Sequence, residues 1–265
     1  GLSPEACLPA AHALEMIHCF TLIHDDLPCM DNDDMRRGQL SNHKKFGESI
    51  ALLAGDALLT MAFEVFTASA TTVPPAAFQR ALTRLLWAAG PRGVSGGQAI
   101  EELLTTESQL EDLQRMHALK TGALFSAARL LPMDLSGMSE ESSSGMAIDL
   151  FARELGLAFQ VADDFEDATD SPDPKNVLAY LSKAEAQTMM LGRLAAATRS
   201  LEALFGDKSR PLRLIADEVA RRIGGPTPTQ IQSAADAQPA TEKKPATAKV
   251  AKPRTRTTTK TSDNG

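Results

Sequence analysis

Residues 3–34 read SPEACLPAAHALEMIHCFTLIHDDLPCMDNDD, and this stretch decides the fold class. Ser3 is a side-chain cap, Pro4 suits the first helical position, and Glu5 sets an acid against the helix dipole, so a helix starts here. An apolar-rich run carries it to about Leu27, where Pro28 stops it. Outward from this segment the same signals repeat. Helices are predicted over 48–70, ending before Thr72-Val73-Pro74-Pro75, and over 76–89, closed by Gly90-Pro91. Further helices are expected over 93–105, 107–131, 139–170, 183–205 and 211–223. Alternating patterns of the strand type are missing between the turn signals, so the chain reads as all-α.

The 265 residues suffice for one sizeable domain or two small ones. The net charge of −7 hides an asymmetry: residues 1–225 carry 20 Lys+Arg against 31 Asp+Glu, and residues 226–265 carry 7 against 3. An acidic body does not attract polyanions unless metal ions invert the local sign. After Gly224-Gly225-Pro226 the composition turns to Pro, Thr, Ala and Lys, which cannot bury enough apolar area to order itself. The expected division is a helical domain over 1–225 and a disordered basic tail over 226–265. The tail interleaves no aromatic residue that could stack on bases, so no nucleic-acid partner is expected. Cys7, Cys19 and Cys29 form neither a disulfide framework nor a CxxC zinc pair, and residues 1–10 lack a signal-peptide pattern, which together suggest a cytoplasmic setting. The apolar run 50–70 contains Asp56 and Glu64, so it is expected to be a buried helix rather than a membrane span.

Two acidic clusters each end an apolar helix. The first is HDDLPCMDNDD, residues 24–34, followed by Met35-Arg36-Arg37-Gly38; the second is QVADDFED, residues 160–167. Eleven of the 31 acids of residues 1–225 lie within 25–34 and 163–173, a density that repels itself unless cations relieve it. At about 100° per residue, Gln160, Asp163, Asp164 and Asp167 share one arc of their helix. Pro28 is placed to let Asp31 fold back toward Asp25. Oxygen ligands without cysteine or paired histidine suit a hard cation such as Mg²⁺. An EF-hand fails because Arg36 stands where its glycine is required. A solvated loop would explain one such cluster; two of them beside paired arginines describe a site for a metal-bridged diphosphate.

These motifs resemble those of the trans-isoprenyl diphosphate synthases. HDDLPCMDNDDMRRG is similar to their first aspartate-rich motif, in the form with two extra residues, and FQVADDFED to their second. SNHKKFGESIALLAGDALLTMAFE, SGGQAIEE and LKTGALFSAA lie between them in family order, so the resemblance covers about residues 3–223. It implies an isoprenoid synthase helical bundle around a central cavity, usually a homodimer, that condenses isopentenyl diphosphate with an allylic diphosphate. Carried over by position, Asp25, Asp26, Asp31, Asp163, Asp164 and Asp167 would hold two or three Mg²⁺, with Asp34 in support. Arg36, Lys120 and Lys175 would contact the allylic diphosphate, and His18 and Arg37 the isopentenyl diphosphate. Thr121 and Gln160 would present oxygen dipoles to the developing cation. Phe20, five residues before Asp25, would limit product length and favour farnesyl over geranylgeranyl diphosphate.

Other residues carry plainer expectations. His12, His43 and His117 read as ordinary polar residues, Asp56 as a hydrogen-bonded structural acid, and Gly96-Gly97 as a device for close helix packing. The sequence departs from the family in having no upstream Gly-Lys-x-x-Arg segment and in beginning at Gly1. The expectation is therefore a synthase lacking its first helices, with activity of the chain as written in doubt. The competing reading is a shortened, non-catalytic subunit that binds a full-length synthase. A class I terpene cyclase fits less well, because the second motif reads DDFED and cyclases lack the LKTG segment.

Overall fold

A computed structural model describes residues 2–166, 173 and 175–231. Ten α-helices follow one another among them: α1 Pro4–Asp25, α2 Asn42–Phe46, α3 Glu48–Phe66, α4 Pro75–Ala89, α5 Val94–Glu101, α6 Leu110–Lys120, α7 Gly122–Ser136, α8 Ser143–Glu166, α9 Lys183–Phe205 and α10 Arg210–Ile223. The Ser3 hydroxyl caps α1 by accepting from the Ala6 N–H, as its sequence predicts.

Four differences from expectation have local causes. A two-residue antiparallel hairpin, β1 Met35–Arg36 with β2 Gln39–Leu40, follows the first acidic cluster. Its turn residues Arg37 and Gly38 sit at φ +53° and +76°, the left-handed pair that tight hairpins require. The helix expected over 107–131 breaks at Thr121, and its second half runs through Pro132 to Ser136. Burial of Leu131 and Leu135 and an Arg84–Asp134 hydrogen bond of 2.5 Å offset the proline. Residues 226–231, assigned above to the tail, form a turn on α10: Thr229 donates from its N–H and its hydroxyl to Asp217, at 3.1 and 2.6 Å. The rest of the tail lies outside the described residues.

The fourth difference is α3, which is not wholly buried. Ala51, Gly55, Ala62 and Phe66 face inward, whereas Ile50, Leu52, Leu53 and Met61 are exposed. Asp56, expected to be a structural acid, is exposed as well, with His24 3.9 Å away. Residues 5–25 and 48–71 are each long and apolar enough to cross a bilayer, with mean hydropathies of 1.4 and 1.7. Here they pack on one another. Gly55 makes this possible, since a Cβ there would lie 2.1 Å from the His24 ring.

Two cores result. One joins α1, α3, α4 and α7 through Ile17, Phe20, Phe66, Leu85 and Leu131. The other joins α6, α8, α9 and α10 through Leu113, Met116, Phe151, Leu194 and Ile223. Each such side chain contributes about 1.5–3 kcal/mol by leaving water. Helix α7 packs on α1 and α4 on one side and on α8 on the other, so both acidic clusters meet at the seam between the cores.

Candidate active site

The end of α1 sets the first cluster. Beyond Pro28 the chain doubles back, and the Asp31 N–H donates to the Asp25 carbonyl at 2.9 Å, the return predicted from the proline. Asn32, at φ +54°, completes the bend by donating to the Leu27 carbonyl at 3.1 Å. Asp25 is buried, and burial pushes its carboxyl up to about 6; the nearby Lys120 pulls the other way, while Asp31 and Glu101 add to the rise.

Two lysines face this cluster. Lys120 Nζ lies 3.6 Å from Asp25 and donates to Glu101. Lys175 Nζ lies 3.7 Å from Asp31 and 3.8 Å from Glu102. Gly97 lets α5 come this close, because a Cβ there would sit 2.2 Å from the Lys120 backbone nitrogen. Gly96 is as tight against Pro91, so the glycine pair serves packing, as expected.

Asp26 is only 2% exposed, and Arg36 donates to its Oδ1 from Nε at 2.9 Å and Nη2 at 2.6 Å. Arg36 also reaches Asp33 at 3.0 Å, and Lys44 reaches Asp34 at 2.8 Å. Asp26 and Arg36 thus meet each other first. Arg37 Nη2 lies 3.3 Å from His18 Nε2, joining the two residues assigned to isopentenyl diphosphate. Burial lowers the His18 pKa, favouring the neutral ring that accepts this hydrogen bond.

The second cluster divides between two environments. Asp164 is 4% exposed; its oxygens accept from Gln160 Nε2 at 3.0 Å and from the Val177 N–H at 2.8 Å, and its carbonyl accepts from Asn176 at 2.6 Å. Gln160 Oε1 in turn accepts from the Thr121 hydroxyl at 2.7 Å. Asp163 turns the other way, toward Arg222 of α10, whose Nη2 donates to it at 2.6 Å while Nε donates to Glu166 at 2.8 Å. Asp167 lies outside the described residues.

Two short segments join the clusters. Lys120 touches Asp25 while its neighbour Thr121 touches Gln160. Lys175 touches Asp31 while Asn176 and Val177 hold Asp164. Phe20 stands apart from these contacts; it is buried with Ile17 and Phe66 and meets the His24 ring edge-on at 5.7 Å.

The donor set fits Mg²⁺. Among the described residues no three His, Cys, Asp or Glu side chains converge on one point. Mg²⁺ does not require such a cage, because it keeps waters and takes one or two carboxylates together with substrate phosphate oxygens. Asp25, Asp31 and Asp163 offer that.

Glu101, Glu102 and Arg222 were missed from sequence. Glu101 and Glu102 had a signal, since they follow the packing glycines within SGGQAIEE. Arg222 had none, being 59 positions from Asp163. His43 and His117, expected to be ordinary polar or capping residues, are both buried, and the His43 ring nitrogen bonds the Ser41 hydroxyl at 3.0 Å.

An all-helical bundle with two facing acidic helix ends defines a class, and the comparisons agree with it. The chain belongs to the polyprenyl synthetase family, a family of trans-prenyltransferases, whose model matches residues 3–205. Among its relatives it is 38% identical over 239 residues to geranylgeranyl pyrophosphate synthase 7, chloroplastic, of Arabidopsis thaliana, covering 84% of this chain and 68% of that one. It is 44% identical over 169 residues to the farnesyl diphosphate synthase of Geobacillus stearothermophilus, covering 63% of this chain and 56% of that one. The solved FPP/GFPP synthase of Zymomonas mobilis superposes with a TM-score of 0.74 at 35% identity, over 83% of this chain and 77% of that one. The chain thus spans between about half and three quarters of the length of these relatives.

Proposed function

We propose that the protein condenses isopentenyl diphosphate with an allylic diphosphate, giving a product of the farnesyl or geranylgeranyl type. The observation that carries this reading is the double link: Lys120-Thr121 and Lys175 to Val177 tie one acidic helix end to the other. The allylic carbon–oxygen bond breaks, the allylic carbon bonds the isopentenyl double bond, and a proton is lost. Diphosphate must therefore leave as an anion. Lys120 and Lys175, with Arg36, are the cations that receive it; at about 4 Å and an effective dielectric near 20, each unit charge pair supplies about 4 kcal/mol. His18 and Arg37 take the isopentenyl diphosphate. Thr121 commits its one hydroxyl proton to Gln160, so only oxygen lone pairs remain for a developing carbocation.

Asp25, Asp31 and Asp163 are the residues that would hold Mg²⁺, two or three ions per site, and Mg²⁺ supplies further neutralisation of the leaving diphosphate when bound. Asp26 and Asp164 support this set, each held by the protein's own donors. Asp167 belongs to it by sequence position. Phe20 is assigned to chain-length control, and Phe20→Ala is expected to lengthen the product. A second copy of the chain is the proposed partner, supported by the outward apolar face of Ile50, Leu53 and Met61.

Radiolabelled isopentenyl diphosphate with dimethylallyl or geranyl diphosphate tests the reading. Mg²⁺-dependent prenyl diphosphate, abolished by EDTA, supports it. Failure to form product alone, with product on mixing with a full-length synthase, would replace it by the subunit reading; a cyclised hydrocarbon would replace it by a cyclase.

A further inference from the structure

Arg222 grips the second acidic cluster, yet the proposed reaction does not use it. It comes from the last turn of α10, and three residues of α8 spaced four and three apart receive it. Its Nη2 donates to Asp163 at 2.6 Å, its Nε donates to Glu166 at 2.8 Å, and its guanidinium carbon lies 4.9 Å from the Phe159 ring centroid. Its side chain is one-quarter exposed, so these contacts form in a partly desolvated place where charge-assisted hydrogen bonds and cation–π attraction are strengthened. Two carboxylates and an aromatic face make a cation seat on the surface of α8, and a residue of the chain itself sits in it.

We propose that Arg222 is a positioning residue that competes with divalent metal for Asp163, so that uptake of metal and diphosphate at the second cluster is linked to release of the end of α10. This rests on the assignment of Asp163 to metal. A cation 2.6 Å from a carboxylate oxygen halves the local charge that Asp163 and Glu166 together offer, and a second cation gains less there. Linkage makes the effect reciprocal: whatever binds Asp163 better without the guanidinium must loosen α10, and whatever loosens α10 must tighten that binding. Mutual support within the turn sets the size of the effect. Gly224 ends α10 at φ +85°, and Thr229 holds Asp217 from beyond it, so the turn bearing Arg222 is anchored on both sides.

The test measures Mn²⁺ binding in the presence of inorganic diphosphate, by electron paramagnetic resonance, for wild type, Arg222→Gln, Arg222→Lys, Phe159→Leu and Asp163→Asn. Arg222→Gln is expected to tighten the Asp163-dependent Mn²⁺ about tenfold, the lower end of what a charge-assisted hydrogen bond contributes. Arg222→Lys, which keeps the charge but loses the fork that spans both carboxylates, should tighten binding less than Arg222→Gln. Phe159→Leu, which keeps the carboxylates and removes the ring, should tighten binding by about two- to fivefold and serves if Arg222→Gln does not fold. The Arg222→Gln effect should vanish in the Asp163→Asn background, and hydrogen exchange over 210–223 should rise in wild type when Mn²⁺ and diphosphate are added. Equal or weaker Mn²⁺ affinity in Arg222→Gln and Phe159→Leu overturns the competition while leaving the metal assignment standing. No Asp163-dependent Mn²⁺ in any protein overturns the assignment and the competition together.

Discussion

The two acid-rich helix ends spell nearly the same thing, Asp-Asp after an apolar helix, yet the protein treats them differently. At the end of α1, Asp25 and Asp31 face lysines at 3.6 and 3.7 Å, separations beyond hydrogen bonding, while Asp26 is gripped by Arg36 at 2.6 Å. At the end of α8, Asp164 is held by the Val177 N–H and Gln160, and Asp163 by an arginine from the far end of the helical domain. At the first end the protein grips one aspartate, Asp26, and leaves its neighbour Asp25 outside hydrogen-bonding distance of the lysine; at the second it grips both, Asp164 through Val177 and Gln160 and Asp163 through Arg222. A motif of repeated acids is thus part scaffold and part chemistry, and at the end of α1 the divide falls between adjacent residues.

The sharpest way to break this comparison is to neutralise the two halves separately. Asp25→Asn and Asp31→Asn should lower the condensation rate about 10²–10³-fold, as loss of a preorganised charge does, with thermal melting little changed. Asp26→Ala should instead lower the melting temperature, because Arg36 is left facing a buried gap. Equal rate losses with equal melting shifts for all three would erase the distinction.

A second substitution acts on the support rather than the acids. Gly97→Ala places a Cβ against the Lys120 backbone, which cannot rotate away as a side chain could. Expected is a destabilisation of about 3 kcal/mol in guanidinium titrations, with displacement of the whole Lys120-Thr121 link. A stable, fully active variant would show that the α5–α6 approach is unimportant to the site.

The helices were legible because their signals are local: Ser3-Pro4-Glu5 and the Gly90-Pro91 stop each act within one turn. The direction of Asp31 was legible from Pro28 for the same reason. What could not be read are choices made by distant residues. Nothing within FQVADDFED says that Asp164 turns inward to Val177 and Asp163 outward to Arg222. The hairpin at 35–40 was missed because two-residue strands are too short to show a period, and the break at Thr121 because it is made by contacts of Lys120 and Thr121 with opposite clusters.

His117 lies beside the seam and gives a pH handle on it. It is 6% exposed, and burial pushes its pKa down to about 4; a hydrogen bond with the Lys175 backbone opposes that shift, and Lys120 adds to it. The folded ring is therefore neutral where the unfolded one, titrating near 6.5, begins to charge. Its stabilising contribution is full above about pH 6.5 and is lost as pH falls toward about 4, by about 3 kcal/mol. Denaturant midpoints at pH 7.5 and 4.5 should differ less in His117→Gln than in wild type. Parallel losses would mean that other groups carry the acid sensitivity.

The smallest expected change in stability has the most specific consequence. Asp164→Asn keeps one oxygen for the Val177 N–H, so its cost should be about 1 kcal/mol. That orientation turns the new amide NH₂ toward Gln160, whose own NH₂ now points at it. The clash is relieved by turning over the Gln160 amide, which then accepts from the introduced NH₂ and donates to Thr121. The Thr121 hydroxyl, formerly the donor to Gln160, becomes an acceptor and must send its proton elsewhere. If Thr121 serves a developing carbocation through its lone pairs, that reversal should slow condensation about tenfold while KM for both diphosphates stays near wild type. The Thr121→Ala substitution should cost little further rate in the Asp164→Asn background. Additive losses in that double-mutant cycle would separate Asp164 from Thr121 and leave the buried aspartate a purely structural residue.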